Sequence, residues 1–595
     1  MIVLVLVTWA VYGAALGHGF VWDDRENVVN NAKVREWSAA NLASFWREPY
    51  IGLWIPLTYN ALSVTAQLAQ EPPTAANPVG LDAAWFHGSN LLLHSVAVSI
   101  VFLLLRGLAK NTWAAFLGAG LFAWHPLQVE PVAWVTGIKD LLSSALALAA
   151  LALHLGPFAA ARDAARRARR RWPREVVATL LFGLALAAKP AVVTLPLVAL
   201  ALRVGVQRRP WREGAGWLAL WLGLAACVAV LTTVGHQDAT TAQPPPFFVR
   251  PLVAADALSF YLAKLCWPLH LGPAYGRTPE SVLGSNAIWW TWLPPLALAG
   301  VAMRKGARRW LAPAVAISVL ALLPVLGFLP FRFQFYSTVA DRYVYLAMLG
   351  PALALAIGLG SGSEISKRAP AVVLAVLVVL AALSHRQTTV WADNLSLWSH
   401  AALRNPDNAL AQHNLGHFLA RAGRGAEAEV HLRRALELSP RYANAMNSLG
   451  NLLLDRGDAR AAIPYYRDAL AITPEDGRIP YNLGNAYSQI GDFDAAALQY
   501  LAAMAATPRY RDDPRALYGL GVARLAQKNY TEAAQHLSRT VQLDPAFVDA
   551  YVRLGDALEA LGRREDAQRV YRDALRIDPD ATEARARIET PAPAK

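Results

Sequence analysis

Only two cysteines occur in 595 residues, Cys227 inside an apolar run and Cys266 in a tryptophan-bearing segment, so a disulfide framework is excluded. Charge is also scarce: 17% of residues are charged against 55% hydrophobic, which excludes an intrinsically disordered chain. No glycine-rich P-loop is present, leaving ATP-driven transport without support. No Ser or Cys nucleophile motif is present either. What the chain has in abundance is apolar sequence and tryptophan, and both are unevenly placed. Residues 1–385 hold 18 of the 20 tryptophans and 30 Lys+Arg against 17 Asp+Glu, whereas residues 386–595 balance 26 against 26. The whole net charge of +13 therefore sits in the first part.

That first part reads as a membrane domain. Apolar stretches near 1–17, 89–105, 113–124, 140–160, 176–188, 190–202, 214–234, 287–303, 310–329, 342–360 and 370–385 predict about eleven spans. The connections 106–112, 161–175, 203–213, 304–309 and 361–369 carry 19 Lys+Arg, against 11 in the much longer remaining loops. By the positive-inside rule the first set is cytoplasmic, and the run Arg162 to Arg174 is a topology determinant rather than a nucleic-acid patch. Residues 18–88, 125–139, 235–286, 330–341 and everything after 385 are then outside. The expected location is the inner (cytoplasmic) membrane, multi-pass, with a periplasmic C-terminal domain and no nucleic-acid partner. Met1 to Gly17 is short and lacks a basic leading segment, which fits a trimmed start, with a cleaved signal peptide as the rival.

The second part repeats itself. Pro440, Pro474 and Pro508 are 34 residues apart, Pro545 follows after 37 and Pro579 after 34 again, with Gly416, Gly450, Gly484, Gly521 and Gly555 in step. This is the tetratricopeptide period, and it predicts five repeats forming an α-solenoid over 407–579 and a tail over 580–595. Trp398, Ala401 and Pro406 fit a capping half repeat within a connecting segment, 386–406. A solenoid offers a concave face to extended partners. Asn414, Asn447, Asn451, Asn482 and Asn485, with His413 and His417, fall where that face is often lined; asparagine amides both donate to and accept from a peptide backbone.

The outer loops carry the chemistry. The first opens Phe20-Val21-Trp22-Asp23-Asp24-Arg25, an adjacent acid pair suited to a general base or a metal ligand. Trp54-Ile55-Pro56-Leu57-Thr58 follows, then His87, Asn90 and His94 on one helix face entering the membrane. The second loop runs from His125-Pro126 through Glu130 and Trp134 to Lys139-Asp140; Lys189-Pro190 and Asp341-Arg342-Tyr343 lie at two further outer helix ends. Polar groups at a bilayer boundary line cavities rather than face lipid, and cations there suit the phosphate of a lipid-linked substrate.

In order and placement these segments, followed by the repeats, resemble the transmembrane and tetratricopeptide repeat-containing O-mannosyltransferases and their bacterial relatives. The resemblance covers nearly the whole chain. It implies an all-α, GT-C-like transmembrane domain over 1–385, a polyprenyl-phosphate-linked sugar as donor, no certain cofactor and an undecided metal dependence. Carried over by position, Asp23 and Asp24 match the catalytic acids; Lys189, Arg342 and Lys139 are candidate donor-phosphate ligands. Trp54, His87, Asn90, His94, His125, Glu130 and Tyr343 would line the pocket. Eukaryotic members commonly carry an acid after the lysine where this chain has Pro190, which points to the bacterial branch and leaves the sugar open. The expected activity is hexose transfer, mannose first, to protein Ser/Thr hydroxyls outside the membrane, with the repeats presenting the acceptor. A lipid or glycan acceptor, and a non-catalytic envelope scaffold, are the alternatives.

Overall fold

In a computed structural model, which describes residues 1–74, 77, 79–156, 164–234, 245–329, 331–360 and 368–589, the chain is helical throughout. Among the described residues the only extended pairings are two isolated bridges, Tyr50 with Leu53 and Gln70 with Leu81. The chain divides into two compact units, Met1–Asn408 and Ala409–Lys595. The segment 386–406 falls in the first, where helix Asn394–Arg404 is capped by the Asp393 carboxylate accepting from the Ser396 N–H at 2.9 Å.

In the first unit four described helices are long and apolar enough to cross a membrane: Ala83–Ala109, Val135–Leu155, Ala215–Thr232 and Ala369–Trp391. Against the eleven spans expected, other apolar stretches form shorter helices, among them Ile2–Gly17, Thr112–Trp124, Pro190–Val206, Leu311–Val325 and Leu346–Gly360. Proline accounts for several of these breaks, because it removes a backbone donor and clashes with the preceding turn: Pro126 follows Trp124, Pro196 opens the short helix Leu195–Ala201, and Pro324 sits in the tight turn after Leu322. The basic run Arg162 to Arg174 begins outside the described residues and continues into helix Ala164–Ala188. The first outer loop is itself folded, with Val28, Val34, Phe45, Tyr59 and Leu62 packed against Phe86, Val135 and Ile138 in one apolar cluster. Phe45 stacks on Tyr59 with centroids 4.8 Å apart. Burying one such aromatic contributes about 1.5–3 kcal/mol, so the loop is a fixed platform.

The second unit is a run of five helix pairs: Ala409–Arg421 with Gly425–Leu438, Ala443–Asp455 with Ala459–Ile472, Arg478–Gln489 with Phe493–Ala506, Pro514–Ala526 with Tyr530–Leu543, and Val548–Ala560 with Arg564–Ile577. The recurring glycine of each first helix faces a large side chain of the second. A Cβ at Gly450 would stand 2.7 Å from the Tyr466 ring and one at Gly484 2.9 Å from Tyr500, which is why only glycine fits.

Candidate active site

The first outer loop turns sharply at Trp22, whose φ of +55° is a conformation bulky residues rarely adopt. Asn394 holds that turn: its Oδ1 accepts from the Trp22 N–H at 2.8 Å and its Nδ2 donates to the Phe20 carbonyl at 3.3 Å. The Trp22 ring stacks on Trp134 at 5.0 Å and meets Trp398 edge-on at 5.5 Å. Trp134 and Trp398 are buried, yet the indole N–H of each lacks a hydrogen-bond partner.

The turn gives the two acids different surroundings. Asp24 is fully buried; its Oδ2 accepts from the Val21 N–H at 2.9 Å, and its Oδ1 accepts from the Thr136 N–H at 2.8 Å and from the Thr136 hydroxyl. Burial, and then the neighbouring Asp23 charge, push its carboxyl up to about 7 despite those three bonds. Asp23 has a buried Oδ1 with no partner at all, while its main-chain carbonyl accepts from Asn27. A π turn, Arg25–Val29, follows, with the Asn30 N–H reaching back to the Arg25 carbonyl at 2.6 Å. Such turns concentrate at functional sites.

Of the expected pocket residues, several are committed to the scaffold. Asn90 donates to the Trp134 carbonyl at 2.7 Å, and His94 bridges the Tyr345 hydroxyl at 2.8 Å and the Ala123 carbonyl at 3.1 Å. His125 accepts from the Leu127 N–H at 3.2 Å through Nδ1, so its Nε2 carries the proton donated to the Leu265 carbonyl at 3.1 Å. Burial holds that imidazole down at about 4, hence neutral. These side chains fasten the second outer loop to its helices. His87 is buried and packs edge-on to His18 at 6.0 Å. Trp54 stays half-buried and donates to the Trp46 carbonyl at 3.4 Å; Thr58 from the same motif donates to the Ala188 carbonyl at 2.8 Å, fixing the helix end that carries Lys189.

The three cations differ in their company. Arg342 forms a buried ion pair with Glu130, whose second oxygen accepts from the Arg342 N–H at 2.9 Å. Its guanidinium is boxed by Phe333 at 4.1 Å, Tyr343 at 5.0 Å, Trp22 at 5.5 Å and Trp134 at 5.6 Å. Lys189 is paired with Asp140, and burial pulls its ammonium below the usual lysine range. Lys139 has no carboxylate partner among the described residues and lies over the Trp134 ring at 4.5 Å. The acid pair, the 125–140 loop, Lys189 and Arg342 are thus joined through Thr136, Trp22 and Trp134. Thr136, and Asn394 which holds the Trp22 turn, have no motif that marks them in the sequence. No group of three or more His, Cys, Asp or Glu side chains suited to a metal occurs among the described residues.

In the repeats, the asparagines bond to the solenoid itself. Asn451 accepts from the Tyr466 hydroxyl and Asn485 from the Tyr500 hydroxyl, each at 2.7 Å, and Asn482 donates to Asn447 at 2.9 Å across neighbouring repeats. Asn414 keeps a buried Nδ2 without a partner. Each tyrosine lies 16 positions after its glycine and bonds the residue following that glycine; Tyr571 does the same with Asp556 at 3.0 Å. Where leucine replaces the tyrosine, at Leu432 and Leu537, the residue after the glycine is His417 or Val522.

Fold and site together describe an apolar helical unit with an acid-and-cation cluster, followed by a helical repeat array. Tetratricopeptide repeat families match residues 407–475, 481–546 and 524–588. Protein O-mannosyl-transferase F38B6.6 of Caenorhabditis elegans is 22% identical over 74% of this chain and 63% of its own length. Protein O-mannosyl-transferase Tmtc1 of Drosophila melanogaster is 23% identical over 74% and 61%, and human protein O-mannosyl-transferase TMTC1 24% over 73% and 54%. The chain is similar to these protein O-mannosyl-transferases, and spans between 54% and 63% of the length of these curated relatives.

Proposed function

We propose that the protein is a GT-C-type membrane glycosyltransferase that moves a hexose, mannose in the first instance, from a polyprenyl-phosphate-linked donor to a protein Ser/Thr hydroxyl on the extracytoplasmic side. The observation that carries this reading is the pairing of unlike acids: Asp24 is tied down by three hydrogen bonds, while Asp23 keeps a buried oxygen free. Asp23 is the general base, taking the acceptor hydroxyl proton as the oxygen attacks the anomeric carbon and the phosphate leaves. Asp24 positions it by anchoring the turn to Thr136. Lys139, which has no carboxylate to leave, meets the donor phosphate first; Lys189 and Arg342 add positive field against the departing charge. The partnerless indole N–H groups of Trp134 and Trp398 are donors suited to sugar hydroxyls. The repeats present the acceptor polypeptide.

The test is hexose transfer by the full chain in lipid nanodiscs, supplied with polyprenyl-phosphate mannose and an unfolded acceptor protein, read by intact mass. Transfer by the wild type and its loss in Asp23→Asn support the reading; equal transfer by Asp23→Asn removes Asp23 as base. No transfer with any polyprenyl-phosphate hexose removes the activity.

A further inference from the structure

A cavity of about 1000 Å³, which shares no residue with the site above, opens between helix Leu195–Ala201 with its following turn Leu202–Val206 and helix Leu311–Leu322. Its walls are apolar, from Leu197, Leu200, Val204, Pro313 and Leu320. At Gly205 the two elements touch: a Cβ there would stand 2.9 Å from the Pro313 ring. The rim carries Arg208, Lys305, Arg308 and Arg309, all exposed, and no acid lines the cavity.

These cations stand apart from others in the same unit. Arg203, just before Arg208, is buried and neutralised by Glu213 at 3.0 Å, as Lys189 is by Asp140 and Arg342 by Glu130. None of the four rim cations has a carboxylate partner among the described residues. Four like charges over an apolar hollow repel one another, and the low-dielectric wall strengthens their field. The ligand that relieves this is anionic at one end and long and apolar at the other.

We propose that this cavity binds a membrane lipid bearing two phosphates in its headgroup, with the phosphates on Arg208, Lys305, Arg308 and Arg309 and an apolar chain along Leu197, Leu200 and Leu320. Two phosphates rather than one fit because a single negative charge leaves most of the four cations unbalanced. Basic hollows between apolar helices recognise such headgroups through charge and the chain through burial. The site is independent of the glycosyl-transfer reading.

The purified full chain in detergent is titrated with diphosphatidylglycerol, phosphatidylglycerol, phosphatidylcholine and inorganic pyrophosphate, with retention followed by native mass spectrometry. One diphosphatidylglycerol should be retained, phosphatidylglycerol at least about tenfold more weakly, and phosphatidylcholine and pyrophosphate not at all. The triple variant R208Q/R308Q/R309Q removes three charge-assisted contacts and should lose at least about tenfold in affinity. Its changes are exposed, so circular dichroism should be unaltered. Ala316→Trp fills the apolar hollow without touching the charge and should weaken the lipid by a similar factor. Equal retention of phosphatidylcholine, or affinity unchanged in both variants, overturns the proposal; pyrophosphate retained as tightly as the lipid makes it a free-anion site and overturns the lipid.

Discussion

The two units treat their charges in opposite ways. In the repeats, ion pairs such as Arg434 with Glu437 and Arg576 with Asp573 lie one turn apart on exposed helix faces. Such pairs are worth roughly 0–1 kcal/mol and mainly keep the surface wet. In the first unit Arg342 and Glu130 are both nearly inaccessible, His154 and Glu175 wholly so, and Lys189 and Asp140 mostly so. A buried pair costs so much desolvation that it stabilises little over an apolar replacement, while loss of one partner is severe. Stability therefore does not explain the buried pairs, and two of them, Arg342 with Glu130 and Lys189 with Asp140, belong to the candidate site.

The sharpest break of that contrast is between the two adjacent acids. Asp23→Asn should cut transfer by about 10² to 10⁴ while leaving thermal unfolding of the purified chain nearly unchanged, because the free Oδ1 has no bond to lose. Asp24→Asn should lower both, since an amide N–H₂ would face a backbone donor at Val21 or Thr136. Equal melting of the two variants would undo the division of labour between base and anchor.

Next in size is the pair itself. Glu130→Gln leaves the boxed Arg342 guanidinium without its countercharge and should destabilise the first unit by about 3–5 kcal/mol, read as lost thermal stability in detergent. Glu437→Gln in the repeats, removing an exposed partner, should leave the melting temperature where it was. A small loss for Glu130→Gln would mean that the aromatic box alone suffices for the cation.

The acidity of Asp24 adds a dependence on pH. Its folded value of about 7 lies above the ordinary 3.8, so the folded state favours the neutral acid. That contribution is complete below about pH 4 and is lost as pH rises through about 7, where the unfolded chain binds fewer protons than the native one. Melting temperature should therefore fall between pH 5 and 8 in the wild type, and this part of the slope should vanish in Asp24→Asn. An identical slope in both proteins would assign it to another group.

The two units also differ in how much the sequence told of them. The repeats were legible down to their helix pairs, because one 34-residue unit recurs and each copy checks the others. What the period did not tell is the bonding of their asparagines: position in a consensus says where a residue stands, not that Tyr466 or Tyr500 donates to its oxygen. In the first unit the acids, Glu130, Lys189 and Arg342 stood out by type and placement, since charge beside an apolar run is costly. Their pairing did not, because Glu130 and Arg342 are 212 positions apart and nothing local couples them. Thr136 and Asn394 were invisible, being ordinary polar residues whose importance is purely geometric. For the spans, hydropathy sees composition, whereas proline and tight turns decide where a helix ends.

The smallest effect sharpens the reading of the repeat asparagines. Tyr466 is fully buried and its hydroxyl donates to Asn451, so Asn451→Ala strands a donor and should cost about 1–3 kcal/mol. Tyr466→Phe removes the donor but leaves Asn451 half-buried with water in reach, and should cost less, about 0.5–1.5 kcal/mol. The double change should then recover part of the sum, because the stranded hydroxyl is gone; unfolding of all three variants by denaturant gives the coupling directly. Strict additivity would mean that the bond carries no energy and that Asn451 is available to hold an acceptor chain. Positive coupling ties it to the solenoid, leaving Asn414, whose buried Nδ2 has no partner, as the better candidate for an acceptor contact among these asparagines.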